Sequence, residues 1–253
     1  RKFYQLASGG AVKFDAQGVS DDPSSGGTSL TAELTIGDNS NRILIVTAGS
    51  YASGKAIDEI TWTPDSTGTP EDMTQGGLAN LSEGNDSDGR IDMFFLSNPT
   101  IGAGTITCTW TGTAGAKRRV GGLSFYNVKQ SGTDGIDGIG VTTKDTDNST
   151  TSGGDITPTT AGSAIVDGQY WQEGDGDVVQ NRTLGWGSSL SAINLIDGDR
   201  LQSSQYDLSP TINSANTMEY TDGQSSIWSW VSAELVCEDL SLGNVWVERG
   251  TAT

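Results

Sequence analysis

Five short apolar or alternating runs follow one another between Asn41 and Val128, and turn-forming residues separate them. The runs read RILIVTAGS, EITWTP, RIDMFFLSNP, GTITCTWTG and RVGGLSFYNV, and the residues around them are rich in Gly, Pro, Asn, Asp and Ser. None of the runs carries apolar residues at helical spacing. Short strands with turn signals between them are typical of antiparallel sheets that pack face to face. We therefore predict an all-β fold, an antiparallel β-sandwich.

Composition and length favour one domain of this class. Only 34% of the residues are hydrophobic and 35 are Gly, but 7 Trp, 6 Tyr and 5 Phe supply large side chains for a core. A chain of 253 residues can bury a substantial core. Because no helical segment or strong linker divides it, we predict one sandwich domain over 14–236. An N-terminal arm, 1–13, precedes the domain, and an extension with an added strand, 237–253, follows it.

Three segments allow more detailed predictions. The segment Arg42–Ala48 is apolar on both faces, which predicts a central strand. In Ile227–Val236, small and aliphatic residues alternate with two Trp, so the aliphatic set should face the core and the Trp should lie on the opposite face, against loops, a partner or a ligand. The polar tract Gln130–Thr160 predicts long surface loops with one edge strand at Ile139–Thr143.

Charge and the absence of histidine exclude several classes of function. The chain has 32 acidic and 14 basic residues, a net charge of −18, which disfavours binding to nucleic acid or to an anionic membrane surface. It contains no His. This removes the usual general base, the Ser-His and Cys-His nucleophile pairs and most zinc sites. We predict that the protein is not an enzyme.

The two cysteines, Cys108 and Cys237, leave two alternatives open. They form one disulfide if the strands that carry them are neighbours. Otherwise they are separate buried thiols, which is the commoner situation because a free Cys packs as a small apolar residue. We favour the separate thiols.

One acidic loop is the best candidate for a cation site, and Ca²⁺ is the only cofactor that we consider. In the segment Glu83–Asp92, which reads EGNDSDGRID, Asp86 and Asp88 stand two apart, and Asp92 follows. Calcium takes six to eight oxygen ligands, several of which short Asp-Gly loops can supply. The alternative is that these are solvated turn residues, since Asp and Gly are favoured in turns.

Exposed aromatic side chains would offer stacking surfaces for a glycan. Trp171, Trp186 and Trp228 are the candidates, because β-sandwich lectins stack sugar rings on aromatics beside Asn and Asp. The alternative for each is packing in the core or between subunits, the commoner role of Trp.

Both ends of the chain carry candidate assembly contacts. The arm is basic and partly aromatic on an otherwise acidic protein, and the tail contains the strand-like segment NVWVE. The contact candidates are Arg1, Lys2, Phe3, Tyr4 and Leu6 in the arm and Val245, Trp246 and Val247 in the tail. The arm either docks on a neighbouring subunit or is a frayed terminus. The tail strand either completes the chain's own sheet or extends a neighbour's sheet.

Several motifs occur in a recognisable order along most of the chain. They are FDAQG at 14–18, GGTSLTAELTIG at 26–37, NSNRILIVTAGSY at 39–51, ITWTP at 60–64, MFFLSNPTIGAGTITCTWTGTA at 93–114, VGGLSFYNVKQ at 120–130 and IWSWVSAELV at 227–236. Together they resemble a jelly-roll-like β-sandwich domain that recurs in virion structural proteins of tailed bacteriophages and in some secreted bacterial proteins. The arm and the tail lie outside the resemblance, which brings no catalytic residues and implies a structural or adhesive role.

We therefore expect a non-enzymatic structural protein of a phage virion, such as a head decoration, fibre or tail accessory subunit. Its partners would be other virion subunits and copies of itself, and its termini would hold it to them. The alternative is a secreted carbohydrate-binding or adhesive module, located outside the cell or on its surface.

Overall fold

The fold is built from antiparallel strands. The computed structural model describes residues 10–22, 26–50, 55–85, 89–114, 118–130, 138–172, 183–184, 191–197 and 200–238. Within these ranges the strands are β1 (Lys13–Asp22), β2 (Gly27–Ile36), β3 (Ile43–Ser50), β4 (Ile57–Pro64), β5 (Glu71–Asp72), β6 (Ser82–Asn85), β7 (Gly89–Ser97), β8 (Gly102–Ala114), β9 (Arg118–Tyr126), β10 (Ile139–Ile156), β11 (Ala164–Gln172), β12 (Thr183–Leu184), β13 (Ser191–Asp197), β14 (Arg200–Asp207) and β15 (Asn216–Leu235). One 3₁₀ turn, Ala79–Leu81, precedes β6. The all-β antiparallel sandwich predicted from the sequence is confirmed.

The strands form three sheets that stack as three layers. The central sheet has the order β1-β9-β3-β7-β6, the second sheet β2-β8-β4-β5, and the third sheet β10-β15-β11-β14-β13 with β12 attached to β15. One core cluster joins residues of the central and second sheets, and another joins residues of the central and third sheets. The central sheet is therefore covered on both faces.

Strand β3 explains why one segment of the sequence is apolar on both faces. It lies between β7 and β9 in the middle of the central sheet. Ile43 and Ile45 enter the core toward the third sheet, whereas Leu44 and Val46 enter the core toward the second sheet. Each of the four side chains is fully buried. The prediction of a central strand is confirmed.

Strand β15 has two buried faces as well, but the second one lies on the outside of the third sheet. Val231 and Leu235 belong to the core shared with the central sheet, and Trp228 and Trp230 lie on the opposite face, as the alternation predicted. The two Trp pack in a smaller cluster that includes Met218. Since Met218 belongs to the far half of the long β10–β15 ribbon, the ribbon bends back over the sheet and covers both indoles.

The prediction of loops in the polar tract Gln130–Thr160 is wrong over 144–156. The predicted edge strand Ile139–Thr143 is present, but it is the beginning of an 18-residue strand, β10, at the edge of the third sheet. Residues 131–137 lie outside the described residues. β10 pairs with β15 along its length, with shifts in register near each end of the segment 142–149. Because main-chain hydrogen bonds hold an edge strand, exposed polar residues such as Lys144 and Asp147 do not prevent pairing.

The two cysteines lie in different cores. Cys108 packs between the central and second sheets, whereas Cys237 packs between the central and third sheets. Both are free and buried. The prediction of two separate thiols is confirmed, because the central sheet stands between them. In the part of the chain that the structure describes, no helix has the length and apolar character needed to cross a bilayer.

Candidate functional site

Asp92, one of the three calcium candidates, makes a buried structural contact. Its side chain on β7 is 2% exposed, and Arg90 Nε donates to its Oδ2 at 2.6 Å. Arg90 also donates to Oδ1 at 2.9 Å, and the Ser82 hydroxyl donates to the same oxygen. Asp86 and Asp88 lie outside the described residues. Among the residues that are described, no three carboxylate or thiol side chains are grouped to hold a metal ion, and the calcium site stays a prediction.

Of the three candidate glycan-stacking residues, only Trp228 has a side chain among the described residues. Trp228 is 3% exposed and packs against Ile165 and Trp230 in the cluster on the third sheet. An indole this deeply buried presents no open ring face to a sugar, so Trp228 has the packing role that was its alternative. Trp171 has its backbone in β11, but its side chain and all of Trp186 lie outside the described residues.

The candidate assembly contacts at both ends of the chain also lie outside the described residues. These are Arg1, Lys2, Phe3, Tyr4, Leu6, Val245, Trp246 and Val247. The described chain begins at Gly10, beside Asn127, and Val12 N–H donates to the carbonyl of Gly162 at 2.9 Å. Val12 is buried in the core between the central and third sheets. Ala11 and Val12, which lead into β1, therefore lie on the side of the third sheet.

Asp167 is a fully buried carboxylate that sequence reasoning missed. It lies on β11, on the outward face of the third sheet. Trp230 Nε1 and Gln205 Nε2 each donate to its Oδ2 at 2.9 Å, and the Gln205 backbone N–H donates to its Oδ1 at 3.0 Å. A buried charge requires such donors, and here they connect three neighbouring strands.

Glu234 is a buried carboxylate that accepts hydrogen bonds from the backbone of a loop. It is fully buried on β15, and it accepts hydrogen bonds from the backbone N–H groups of Thr159 at 3.0 Å, Thr160 at 2.9 Å and Val141 at 3.2 Å. The bonds to Thr159 and Thr160 satisfy main-chain donors in the connection from β10 to β11, and the bond to Val141 satisfies one in β10. The signal in the sequence is a single acid in an otherwise apolar and small-residue alternating strand.

Burial also determines the state of the Cys108 thiol. Desolvation raises its pKa well above the usual value, the nearby Asp92 carboxylate adds to this effect, and Arg118 opposes it. The thiol is therefore protonated at neutral pH. Because the thiolate is the nucleophilic form, this position is unsuited to covalent chemistry.

The outward face of the second sheet carries a ladder of threonines. β8 places Thr at every second position from 105 to 113, while the alternate residues Ile106, Cys108 and Trp110 enter the core. Thr107 has Thr31 on one side and Thr61 on the other, from β2 and β4. The middle of this face is therefore uncharged, and hydroxyl and methyl groups cover it.

A groove of about 420 Å³ lies beside β2, where β1, β2 and β8 come together. Apolar side chains of Ala16, Leu34 and Ala103 contribute to its walls, and the carboxylates of Glu33 and Asp65 line it as well. Both acidic residues are exposed, and within the described part of the chain neither forms an ion pair. The groove combines apolar surface with available negative charge.

Asp15 fixes β1 in the position that forms one wall of this groove. Its Oδ2 accepts hydrogen bonds from Gly37 N–H and from the Ser124 hydroxyl, both at 2.9 Å. Its Oδ1 accepts one from Asn39 Nδ2 at 3.0 Å. β1 is thereby tied to the turn after β2 and to β9, so the two sheet edges that flank the groove are held together.

Comparisons of the chain with protein-family models, with curated proteins and with solved structures found no match. In the part of the chain that the structure describes, the groove beside β2 combines a concave shape with charged groups available for a partner. We take it as the candidate functional site.

Proposed function

We propose that this chain is a non-enzymatic structural subunit of a phage virion, of the head decoration, fibre or tail accessory kind. The terminal segments hold the subunit to its neighbours, including copies of itself. Two observations support the proposal: the order of the sandwich motifs in the sequence, and the positions of the charged residues in the described body.

The observation that carries the proposal is the role of three buried carboxylates. Asp92, Asp167 and Glu234 are each 0–2% exposed, and each accepts two or more hydrogen bonds. Asp92 accepts them from its own strand and from β6, Asp167 from β14 and β15, and Glu234 from the connection between β10 and β11. Removal of such a partner is costly, so these groups fix the register of the strands and the paths of the loops. This use of charge supports a role as a rigid building block.

The distribution of charge supports attachment through the arm. Arg1, Lys2 and Lys13 lie in the first 14 residues, which contain no acid, whereas the net charge of the whole chain is −18. An acidic body discourages non-specific contacts between particles. A basic segment is attracted to the acidic bodies of neighbouring subunits, and this attraction guides association.

Deletion of Arg1–Gly10 tests the proposal. We expect the truncated chain to keep the far-UV circular dichroism and urea midpoint of the full chain, because the strands begin at Lys13. We also expect it to be lost from particles assembled in its presence, measured by quantitative mass spectrometry of purified virions. A full-length variant in which Arg1 and Lys2 are replaced by Ser separates loss of charge from loss of chain. Normal incorporation of the truncated chain would show that the arm does not hold the subunit.

A further inference from the structure

We infer that the groove beside β2 receives the segment Arg1–Leu6 of a second copy of this chain. The inference rests on the proposed function, since it identifies the surface on which the arm of one subunit docks. Three points support it. The groove suits this segment, the chain has no other basic segment of this kind, and the position of the groove favours an arm from a neighbouring copy.

The groove suits a short segment that is both basic and aromatic. Its volume of about 420 Å³ lies in the usual range for binding pockets. Ala16 and Ala103 supply apolar wall against which an aromatic ring can pack, and Glu33 and Asp65 supply two carboxylates. The segment RKFYQL presents two cations followed directly by two aromatic rings, so its charges and its apolar groups both have counterparts in the groove.

The remaining basic residues of the chain do not provide an equivalent segment. The densest basic run is Lys117–Arg119, but Arg118 is 3% exposed and Arg119 is fully buried. The Arg118 guanidinium lies 5.4 Å from the centre of the Trp110 ring and takes part in packing. The body of a second copy is also a poor occupant, because the chain carries 32 acidic residues and these would be repelled by the carboxylates of the groove. The arm, in contrast, contains basic residues and no acidic ones.

The path of the chain favours an arm from a second copy. The described chain enters β1 through Val12, which is buried between the central and third sheets and bonded to Gly162. The groove is lined by Ala16 and Gln17 of β1 and by residues of β2 and β8, which belong to the second sheet on the opposite side of the central sheet. An arm of one copy that docks in the groove of the next copy links successive subunits head to tail, which generates rings or open arrays.

Zero-length cross-linking of the full chain tests this inference. Equal amounts of unlabelled and ¹⁵N-labelled protein are mixed and treated with a water-soluble carbodiimide. The reagent activates a carboxylate, and an amine within contact distance then displaces the resulting urea and forms an amide. We expect amides between Lys2 and Glu33 or Asp65, about half of them joining a labelled to an unlabelled chain, as mass spectrometry can determine.

Matched variants make the result specific to the groove. The double variant E33Q/D65N should lose these cross-links and, in sedimentation velocity at equal concentration, should shift toward the monomer. E59Q, which changes an exposed acid of the same sheet outside the groove lining, should behave as the parent chain does. Cross-links confined to single chains, or unchanged association of E33Q/D65N, would overturn the inference.

The same variants separate this inference from the proposed function. If deletion of Arg1–Gly10 prevents incorporation into particles but E33Q/D65N is incorporated normally, the arm acts at another surface and the groove is not its site. If the double variant is excluded from particles while E59Q is incorporated, the groove inference is supported. If the deletion itself is incorporated normally, the arm has no assembly role, and both the groove inference and the proposed mode of attachment fail.

Discussion

Individual charged residues inside this protein act as structural connectors, and Asp167 is the best-defined example. It brings together a Trp indole, a Gln side-chain amide and a backbone N–H within one sheet. A neutral, apolar side chain at this position would leave those donors buried without an acceptor. The cost of the change therefore comes mainly from the groups that remain.

We predict that Asp167→Ala lowers the free energy of unfolding by about 2–5 kcal/mol, because each buried group left unsatisfied costs about 1–3 kcal/mol. Asp167→Asn should cost less, since it keeps one acceptor oxygen. Equilibrium unfolding in urea measures both changes. Asp58→Ala, at an exposed strand position, is the control and should be close to neutral. Equal midpoints for the Asp58 and Asp167 variants would contradict a connecting role for Asp167.

The two thiols give a second prediction at the residue scale. Because both are buried, neither should react with a thiol reagent in the native state at neutral pH, and both should react in denaturant. Burial raises the pKa of Cys108 in the folded state above its unfolded value of about 9.0. The unfolded chain therefore loses this proton first, and stability should fall as the pH rises above that value.

Alkaline titration of the urea midpoint measures the effect, and the Cys108→Ala variant should lack this component of the decline. Rapid labelling of Cys108 in the native protein at neutral pH would show that the thiol is not held in the core.

Among the strands, the sequence predicts those whose alternate side chains enter two different packed regions. β3 and β15 are recognisable because their apolar residues must fill two defined spaces. β10 and β14 are not, since many of their residues are polar. β10 also pairs with a strand that is distant in sequence, whereas β14 forms a hairpin with β13. Periodicity reports burial of side chains, whereas pairing depends on main-chain groups that every residue has.

The candidate site could not be predicted for a related reason. Its groove forms where β1, β2 and β8 meet, so Ala16, Glu33 and Ala103 become neighbours only after two sheets have stacked. Glu33 reads in the sequence as an ordinary outward residue of an alternating strand. The basic arm, by contrast, was visible in the sequence because charge composition is a local property.

The spacing between the central and third sheets depends on Gly168 in β11. A Cβ atom at this position would lie 2.5 Å from Thr47 Cγ2 and 3.0 Å from Thr47 Cβ, on the facing strand β3. We predict that Gly168→Ala destabilises the protein by about 1–3 kcal/mol through overpacking. Gly112→Ala is the control, because there the added atom meets only the Lys55 side chain, at 3.5 Å or more. Urea midpoints measure both variants, and a neutral Gly168→Ala would mean that the two layers are not held this closely.

At the scale of the whole molecule, the third layer distinguishes this protein from a two-sheet sandwich. The central sheet shares one core with the second sheet and another with the third, so its strands stabilise both halves. The sequence contained the signal for this arrangement in the two-sided apolar pattern of β3, but that pattern does not say how many sheets cover the strand. The result is a rigid body with an acidic composition and a basic arm.

We propose that this body is a subunit of a phage particle. Electron cryomicroscopy of the native particles, combined with mass spectrometry of their components, tests it most directly. We predict that the chain is present in many regularly arranged copies, with density that fits the three-layer body and a segment reaching from each copy to the groove of the next. Particles that lack the chain, with the protein recovered only in free form, would contradict the claim.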